Sequence, residues 1–450
     1  MSNTRDAGAR GLSLTRRAAL LASLGALSGC GLWDDWFSTK KTPLSGKREP
    51  ILSSQGTLKP DDGVGKVVLP PPVRNAAWPQ DGGNPSHLMG HLAGADRLAQ
   101  AWSAGIGDGG GYRDKILAHP VSANGVIYTM DSAGVVSAFE TAGGGRQWQF
   151  DTTEDEDRST NVGGGLALDQ GTLYAVNGLA ELVALDAAKG TVRWRKNTGT
   201  AARSAPTVAD GRLFFTTIDD RLLAYATADG RQLWTYQATQ ASTAVLGQPA
   251  PAYSEGFVVA GFGSGELAAL RADSGAVVWT DSLAAQRPGG GVAEFSTIRG
   301  LVTIADGTVY AVSVGRTMVA SDLHSGRRLW ERDLSAEDSP WVVGDWIFLA
   351  TLNQQVAAIS RAEGRIAWVT DLPRWGNPEK REDPITWFGP ALVSDRLIVA
   401  GTNQTALSIS PYTGKILGQQ SLPDAAAFGP VVVADTVFIV CDDGRLLALR

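Results

Sequence analysis

A short segment recurs along this chain at a spacing that few folds accommodate. Each copy has an apolar stretch, then a glycine, and four residues after the glycine a closing position that is usually tryptophan. The closing positions are Trp148, Trp194, Trp234, Trp279, Trp330, Trp368 and Gly418. Their spacings run from 38 to 51 residues. A period of about 40–50 residues with about four strands in each unit is typical of β-propeller blades.

The two ends of the chain each carry part of one further copy. The last copy, "RLLALR", stops at Arg450 before its outer strand, whereas "RLAQAWSAGIG" supplies an upstream strand that contains Trp102. Pairing these two strands completes the last unit and removes exposed sheet edges. We therefore predict an all-β fold over residues 78–450, an eight-bladed β-propeller of four-stranded antiparallel blades, closed by pairing of the N- and C-terminal strands. A seven-bladed ring is the alternative, but it leaves Trp102 without a role.

The glycine and the tryptophan of each copy have separate physical roles. Glycine adopts positive φ at little cost, so it suits the tight turn into the outer strand. A tryptophan buries about 150–250 Å² and would fill the space between neighbouring blades. Gly418 has no such side chain. We expect a neighbour to fill the gap there, or that junction to be looser.

The first 29 residues have the pattern of an export signal. Several arginines precede an apolar stretch at residues 18–29, which is too short to span a bilayer. The sequence "LSGC" at its end resembles the lipobox of bacterial lipoproteins. This resemblance implies that Cys30 is lipidated and becomes the first residue, and Gly31 after it implies sorting to the outer membrane. An ordinary cleavage site or an uncleaved anchor is the alternative.

Residues 30–77 are predicted to be a flexible tether. Most of this segment is rich in Pro, Lys, Ser, Gly and Asp, a composition that cannot bury enough apolar surface to fold. The exception is "LWDDWF" at residues 32–37, whose aromatic side chains suit either a lipid headgroup region or a contact with a partner protein.

Composition and isolated motifs give little indication of chemistry. The net charge of −6 provides no basic surface for nucleic acid. The two cysteines, Cys30 and Cys441, are too few for a multi-thiolate metal site. His87 and His91 have metal-like spacing, but they lie among Gly and Pro, and we interpret them as loop residues. We expect no metal, no cofactor and no catalytic residues.

The repeat resembles that of a known group of propellers. The copy with Ala184, Asp186, Gly190 and Trp194 is similar to the repeat of pyrroloquinoline-quinone-type propellers. Together, this repeat, the lipobox and the eight blades resemble the BamB family, lipoproteins of the outer-membrane β-barrel assembly machinery. The resemblance implies a non-enzymatic scaffold on the periplasmic face of the outer membrane. It also implies docking on the periplasmic domains of the barrel-inserting subunit, without a small-molecule substrate.

In the BamB family the partner contacts come from loops between neighbouring blades near the middle of the ring. On this sequence these loops fall around Val245 and Leu246 and around Thr297 and Arg299. The residues depart from the family pattern. Leu246 stands where the family has an arginine, and Thr297 and Arg299 stand where it has a pair of acidic residues. The resemblance therefore implies the loop locations but not the individual charge pairs.

The longest insertion, "LPRWGNPEKREDPITWFGP" at residues 372–390, offers a further binding surface. Exposed loops on a rigid scaffold often carry binding residues, and tryptophan is a frequent interface anchor. We predict Trp375 as a partner-binding residue. Trp387 and Phe388 either belong to the same surface or begin the next blade and are buried.

Two other functions stay open at this point. One is a quinoprotein dehydrogenase that uses pyrroloquinoline quinone. Members of that family typically have adjacent cysteines, which this chain lacks, and a calcium-binding set of Glu, Asn and Asp. The other is a propeller lipoprotein that binds a different envelope component.

Overall fold

Short strands separated by tight turns account for the regular structure of this protein. The computed structural model describes residues 57–95, 97–111, 114–153, 163–241, 247–284 and 296–450. Within these ranges the regular elements are β-strands, each three to seven residues long. The same residues include no helix with the length and apolar character needed to cross a bilayer. The predicted all-β class is confirmed.

Thirty-two of the described strands form eight four-stranded antiparallel sheets, the blades. In blades 1–4 the strands run in chain order from the innermost to the outermost. Blade 1 has β2 (Val121–Ala123), β3 (Val126–Met130), β4 (Val135–Glu140) and β5 (Arg146–Asp151). Blade 2 has β6 (Gly164–Asp169), β7 (Thr172–Asn177), β8 (Glu181–Asp186) and β9 (Val192–Asn197). Blade 3 has β10 (Thr207–Ala209), β11 (Arg212–Thr216), β12 (Arg221–Ala226) and β13 (Gln232–Gln237). Blade 4 has β14 (Ala252–Ser254), β15 (Phe257–Gly261), β16 (Glu266–Arg271) and β17 (Val277–Ser282).

The second half of the ring repeats this order, with one inserted ribbon and one composite blade. Blade 5 has β18 (Thr303–Ala305), β19 (Thr308–Val312), β20 (Met318–Asp322) and β21 (Arg328–Arg332). Blade 6 has β22 (Trp341–Val343), β23 (Trp346–Ala350), β24 (Gln355–Ser360) and β25 (Ile366–Asp371). The two-stranded ribbon has β26 (Trp375–Asn377) and β27 (Glu382–Pro384). Blade 7 has β28 (Trp387–Val393), β29 (Arg396–Gly401), β30 (Thr405–Ile409) and β31 (Ile416–Ser421). Blade 8 has β32 (Val431–Val433), β33 (Thr436–Cys441), β34 (Arg445–Leu449) and β1 (Gln100–Gly105).

Turns with positive φ set the direction of the strands. In blade 1, Asn124 and Gly125 join the first two strands with φ of 54° and 79°, and in blade 3 Asp210 and Gly211 do so with 48° and 71°. Asn-Gly and Asp-Gly are the sequences that type I′ hairpin turns favour. Because each strand reverses direction, these turns lie on one face of the ring, which we call the turn face. The segments that join successive blades lie on the other face, the linker face.

Blade 8 is completed by the N-terminal strand. β1 pairs antiparallel with β34, with Trp102 opposite Ala448 and Gly105 opposite Arg445. Beyond the strand ends, Ala99 and Arg450 exchange backbone hydrogen bonds of 2.8 and 2.9 Å. The prediction of an eight-bladed ring closed by its two terminal strands is confirmed.

Each tryptophan of the repeat lies between two blades. The Trp194 ring packs 5.9 Å from Tyr174 of its own blade and covers Gly230 of the next, where an added Cβ would lie 2.7 Å from the ring. Its Nε1 donates a hydrogen bond of 3.1 Å to the Thr227 carbonyl in the same turn. The turn glycines have the predicted positive φ, between 67° and 74°. An equivalent hydrogen bond to the next blade is donated by Trp102, Trp148, Trp234, Trp279, Trp330 and Trp368.

Gly418 lies at the junction between blades 7 and 8, where the described residues form no tryptophan–glycine contact of this kind. Beyond it lies blade 8, whose third and fourth strands come from opposite ends of the chain, so Ala99 and Arg450 take the place of the glycine turn. A tryptophan at position 418 would have neither a glycine to cover nor a turn carbonyl to bind. An added Cβ at Gly418 would meet no described atom within 4 Å. We expected either that a neighbouring side chain fills this gap or that the junction is looser. Among the described residues, no neighbour fills the gap.

Residues 75–95 form a belt along the axis-facing edges of the innermost strands. Without the belt, these edges would present unpaired N–H and C=O groups at the axis. Hydrogen bonds join it to the blades in order around the ring: Asn75 to Ala434 of blade 8, Trp78 to Ser122 of blade 1, Pro79 to Leu168 of blade 2, Gln80 to Val208 of blade 3, Pro85 to Tyr253 of blade 4, Ser86 to Ile304 of blade 5, Gly90 to Trp341 of blade 6, Leu92 to Leu392 of blade 7 and Ala95 to Asp435 of blade 8.

The segment before the belt also lies on the blades, which differs from the tether expected at residues 30–77. Val67 is buried beside Trp346, and Asp61 pairs with Arg332 at 2.8 Å. The contacts of residues 57–77 use scattered apolar and charged side chains without periodicity, so composition did not indicate them. Cys30 and the rest of the expected tether lie outside the described residues.

Candidate functional site

The segments that lead into the innermost strands converge on the axis at the linker face. Together they surround a depression of about 110 Å³, which we call the outer axial cavity. Segments that adjoin all the described blades lie side by side at this point. Each blade contributes at least one residue to the wall, from blade 1 to blade 8 in order: Ile116, Gly164, Arg203, Gln248, Arg299, Asp338, Phe388 and Phe428.

A second cavity adjoins the first and has the belt in its wall. This inner axial cavity of about 80 Å³ is lined by Trp78, Asp81, His87, Met89 and Trp341, among others. Asp81, His119 and Asp338 line both cavities, so the two spaces meet at these side chains. Small-molecule sites usually have volumes of about 300–1,000 Å³. The two axial cavities are considerably smaller.

An ion pair joins the belt to the segment between blades 8 and 1. His119 Nδ1 lies 2.5 Å from Asp81 Oδ1. Burial by itself raises the pKa of Asp81 and lowers that of His119, but the mutual attraction of the two groups outweighs burial. The pKa of Asp81 is therefore held below its usual value and the pKa of His119 above its usual value. The pair therefore favours the charged form of both groups and links the belt to the segment before blade 1.

The loops that lead into blades 4, 5 and 6 meet at the mouth of the outer cavity. Arg299 forms an ion pair with Glu337 of the following segment. An added Cβ at Gly247 would lie 4.0 Å from Arg299 Nε, so the preceding loop is also in reach. The structure therefore places Gly247, which follows the predicted residues Val245 and Leu246 in the chain, near Arg299 of the second predicted loop.

Two polar side chains at this mouth retain unused hydrogen-bonding atoms. Gln248 Nε2 donates to Asp220 at 2.8 Å. Gln248 Oε1 and Arg203 Nε have no partner among the described atoms. Burial lowers the pKa of Arg203, and the nearby Asp220 carboxylate opposes this effect. Both Gln248 and Arg203 line the outer axial cavity.

The structure separates the predicted partner-binding residues. Arg299 lines the outer cavity. Thr297 is fully buried and donates a hydrogen bond of 3.0 Å to the Gly263 carbonyl, so its role is to hold its loop in place. Val245 and Leu246 lie outside the described residues.

The aromatic residues predicted in the insertion between blades 6 and 7 also lie in different environments. Trp375 lies on the ribbon of β26 and β27, half-buried, opposite Pro384. Trp387 is 3% exposed and begins blade 7, which is the buried alternative considered for it. Phe388 next to it lines the outer axial cavity.

Sequence reasoning missed the belt and the charged groups on the axis. Asp81, His119 and Asp338 are single residues in loops, far apart in the chain, and no spacing pattern connects them. Only the ring topology brings them together. The turn residues around the belt indicated a loop, and no sequence signal showed that the loop follows the axis.

The two histidines of the belt bind backbone carbonyls. His87 Nδ1 lies 2.7 Å from the Val302 carbonyl oxygen, and His91 Nδ1 lies 2.7 Å from that of Pro70. In the described part of the chain, no group of three or more His, Cys, Asp or Glu side chains is arranged to hold a metal ion. The histidine pair therefore fastens the belt to its neighbours.

Comparisons with known proteins agree with one another. A family model described as "Outer membrane protein assembly factor BamB" matches residues 132–370. The outer membrane protein assembly factor BamB of Shewanella oneidensis is 26% identical over 355 residues, which cover 77% of this chain and 87% of that protein.

Solved structures share the fold at low sequence identity. BamB from Moraxella catarrhalis superposes with a TM-score of 0.68 at 19% identity and covers 79% of this chain and 100% of its own. Quinohemoprotein alcohol dehydrogenase from Comamonas testosteroni superposes with a TM-score of 0.65 at 14% identity and covers 84% of this chain and 81% of its own. At these identities the two superpositions establish the fold alone.

Proposed function

We propose that this chain, which belongs to the family of outer membrane protein assembly factor BamB, is a protein-binding scaffold of the outer-membrane assembly machinery. In this proposal it holds the barrel-inserting subunit through that subunit's periplasmic domains and catalyses no reaction. The family match and the relatives that align with most of this chain support the role in outer-membrane assembly. The bound subunit is what the resemblance implies.

The filling of the axis is the observation that carries the scaffold proposal. The belt hydrogen-bonds to the innermost strand or an adjoining segment of every described blade, and the cavities that remain have volumes of about 80 and 110 Å³. A cofactor with several fused rings requires more space, since small-molecule sites typically have about 300–1,000 Å³. This packing argues against the quinoprotein dehydrogenase alternative and favours recognition by the surface loops.

The linker face has the properties of a docking surface for protein. The blades bring the described loop residues of this face together around the axis, and exposed loops on a scaffold often carry binding residues. Arg299, Gln248 and Arg203 present charged and polar groups around the axis. The ribbon that carries Trp375 is inserted between blades 6 and 7, in a segment of the same face, and offers an aromatic anchor.

We place the protein on the periplasmic face of the outer membrane, held by lipid on Cys30. Each buried CH₂ of an acyl chain contributes about 0.8 kcal/mol, so several chains on one residue give durable attachment. Labelling of cells with a radioactive fatty acid tests this part of the proposal. The label should appear in the protein and disappear in Cys30→Ala. Incorporation that survives this substitution would exclude Cys30 as the modified residue.

Affinity purification from detergent-solubilised envelopes tests the function itself. The full-length protein should recover a large β-barrel protein with periplasmic repeats. Arg299→Glu should reduce that recovery at least tenfold, because it removes the positive charge at the cavity mouth and places a carboxylate beside Glu337.

Arg327→Glu is the matched control, since Arg327 is exposed in a turn of blade 5 on the turn face. Its recovery of the β-barrel protein should equal that of the unaltered protein. Purification of other envelope proteins without the barrel protein would contradict the proposed partner. Oxidation of alcohols or sugars after addition of pyrroloquinoline quinone would contradict the absence of catalysis.

A further inference from the structure

We propose that the two axial cavities form a receptor for one basic side chain, an arginine or a lysine, presented by the partner protein that docks on the linker face. This inference rests on the proposed function, because the partner must approach from that face. It is carried by a carboxylate without a counter-ion, a second free acceptor and an aromatic wall, all at the same cavity.

Asp338 is the carboxylate at these cavities that lacks a counter-ion. It forms no ion pair among the described residues, and the one hydrogen bond that it accepts comes from the Gly389 N–H at 3.2 Å. A carboxylate has about four lone-pair sites, so most of its capacity is unused. The other charged groups at the cavities have partners: Asp81 with His119, Glu337 with Arg299, and Arg203 near Asp220.

The pKa of Asp338 is raised because the carboxylate is buried and no counter-ion among the described residues pairs with it. Burial raises the pKa to about 7, and the positive charges of Arg299 and His119 do not offset the loss of water. The negative charge of Glu337 adds to the rise. A cation next to the carboxylate would stabilise its ionised form.

His87 supplies the second acceptor. Its Nδ1–H donates to the Val302 carbonyl at 2.7 Å, and burial lowers the pKa of the ring, so the ring is neutral and Nε2 carries a lone pair. Nε2 has no hydrogen-bond partner among the described atoms. The Trp78 indole N–H at the same cavity is unpaired as well. The unpaired groups are thus two acceptors, one of them a carboxyl group, and one donor, which favours a ligand rich in N–H groups and positively charged.

Two tryptophans form the aromatic wall. The rings of Trp78 and Trp341 are stacked, with centroids 6.5 Å apart and planes at 27°, and both line the inner cavity. Indole faces attract guanidinium and ammonium groups, most strongly when the pair is desolvated. At about 80 Å³, the inner cavity has room for one such head group and not for a folded segment of a partner.

Titration of the full-length protein with a terminally blocked Gly-Arg-Gly peptide tests the receptor. Binding, followed by calorimetry, should be at least tenfold weaker for the same peptide with citrulline, which has nearly the shape of arginine but no charge. Affinity for the arginine peptide should rise about tenfold from pH 6 to pH 8, because the Asp338 carboxyl ionises over this range.

Asp338→Asn should lose at least tenfold in affinity for the arginine peptide. Glu363→Gln, which removes an exposed carboxylate on the turn face, should bind as the unaltered protein does. Equal binding of arginine and citrulline, no binding of either, or unchanged binding by Asp338→Asn would overturn the inference.

Affinity purification separates this inference from the proposed function. If the barrel-inserting subunit is recovered but the peptide does not bind as expected, the receptor proposal is wrong and the scaffold function is still supported. If the peptide binds with the expected specificity but the subunit is not recovered, the cavities still bind a basic group and the proposed partner is wrong.

Discussion

Each inter-blade tryptophan joins two blades through a contact that depends on a glycine in the second blade. The indole covers that glycine and its N–H binds a carbonyl of the same turn, as Trp194 does with Gly230 and Thr227. The sequence predicted both the positive φ of the glycine and the position of the tryptophan between blades, because both follow from local spacing. It did not predict why Gly418 replaces tryptophan, since the reason is the chain ends that lie in blade 8.

Two glycine substitutions test this contact at the level of single residues. Gly230→Ala should lower the free energy of unfolding by about 2 kcal/mol or more, because the residue has a φ of 67° and an added Cβ would lie 2.7 Å from the Trp194 ring. Gly418→Ala should cause no loss and a gain of up to about 1 kcal/mol, since no described atom lies within 4 Å. Urea unfolding measures both, and similar losses in the two variants would contradict the account.

The carboxyl group of Asp338 makes the stability of the folded protein depend on pH in a direction that can be derived. Its pKa in the folded protein is about 7, above the ordinary value of 3.8, so the folded state binds more protons than the unfolded state between these values. Its contribution to stability is therefore present at low pH and is lost as pH rises towards 7, by at most about 1.4 kcal/mol per pH unit. Asp338→Asn should be progressively more stable than the unaltered protein from pH 5 to pH 7. A stability difference that stays constant over this range would show that Asp338 has an ordinary pKa.

At the scale of elements, the belt supplies hydrogen bonds to strand edges that the blades do not pair with one another. Innermost strands have a free edge towards the axis, and residues 75–95 satisfy that edge around the ring. The blades could be predicted because strand alternation and turn glycines recur in each copy. The belt could not, because its contacts are to backbone groups of strands far along the chain, and such contacts leave no periodic pattern in the belt itself.

Deletion of residues 78–105 tests whether the belt and the closing strand hold the ring together. The deletion exposes the edge of β34 and the axis-facing edges of the innermost strands, so the midpoint of thermal unfolding should fall by more than 10 °C, or the protein should not fold. An unchanged midpoint would contradict ring closure by the chain ends.

Replacement of the ribbon residues 375–384 by two glycines is the control for this deletion. Arg374 and Ile385 are already joined by a backbone hydrogen bond of 2.9 Å, so the blades on either side need not move. The unfolding midpoint should change by only a few degrees, since the ribbon adds no strand to a blade.

At the scale of the whole molecule, one ring presents two different faces. The turn face carries hairpin turns, and the linker face carries the loops that surround the axial cavities. Repeat spacing predicted the number of blades and the closure, since both are properties of the chain order. The charged groups of the axis could not be predicted, because Asp81, His119 and Asp338 belong to different loops that only the closed ring brings to the same cavity.

Site-specific photo-crosslinking in living cells tests most directly whether this protein is a docking scaffold of the outer-membrane assembly machinery. A photoreactive phenylalanine derivative in place of Phe388, which lines the outer axial cavity on the linker face, should give a crosslinked product that contains the barrel-inserting subunit. The same amino acid in place of Arg327, on the turn face, should not. A product from Arg327 alone, or no product with that subunit from either position, would contradict the account.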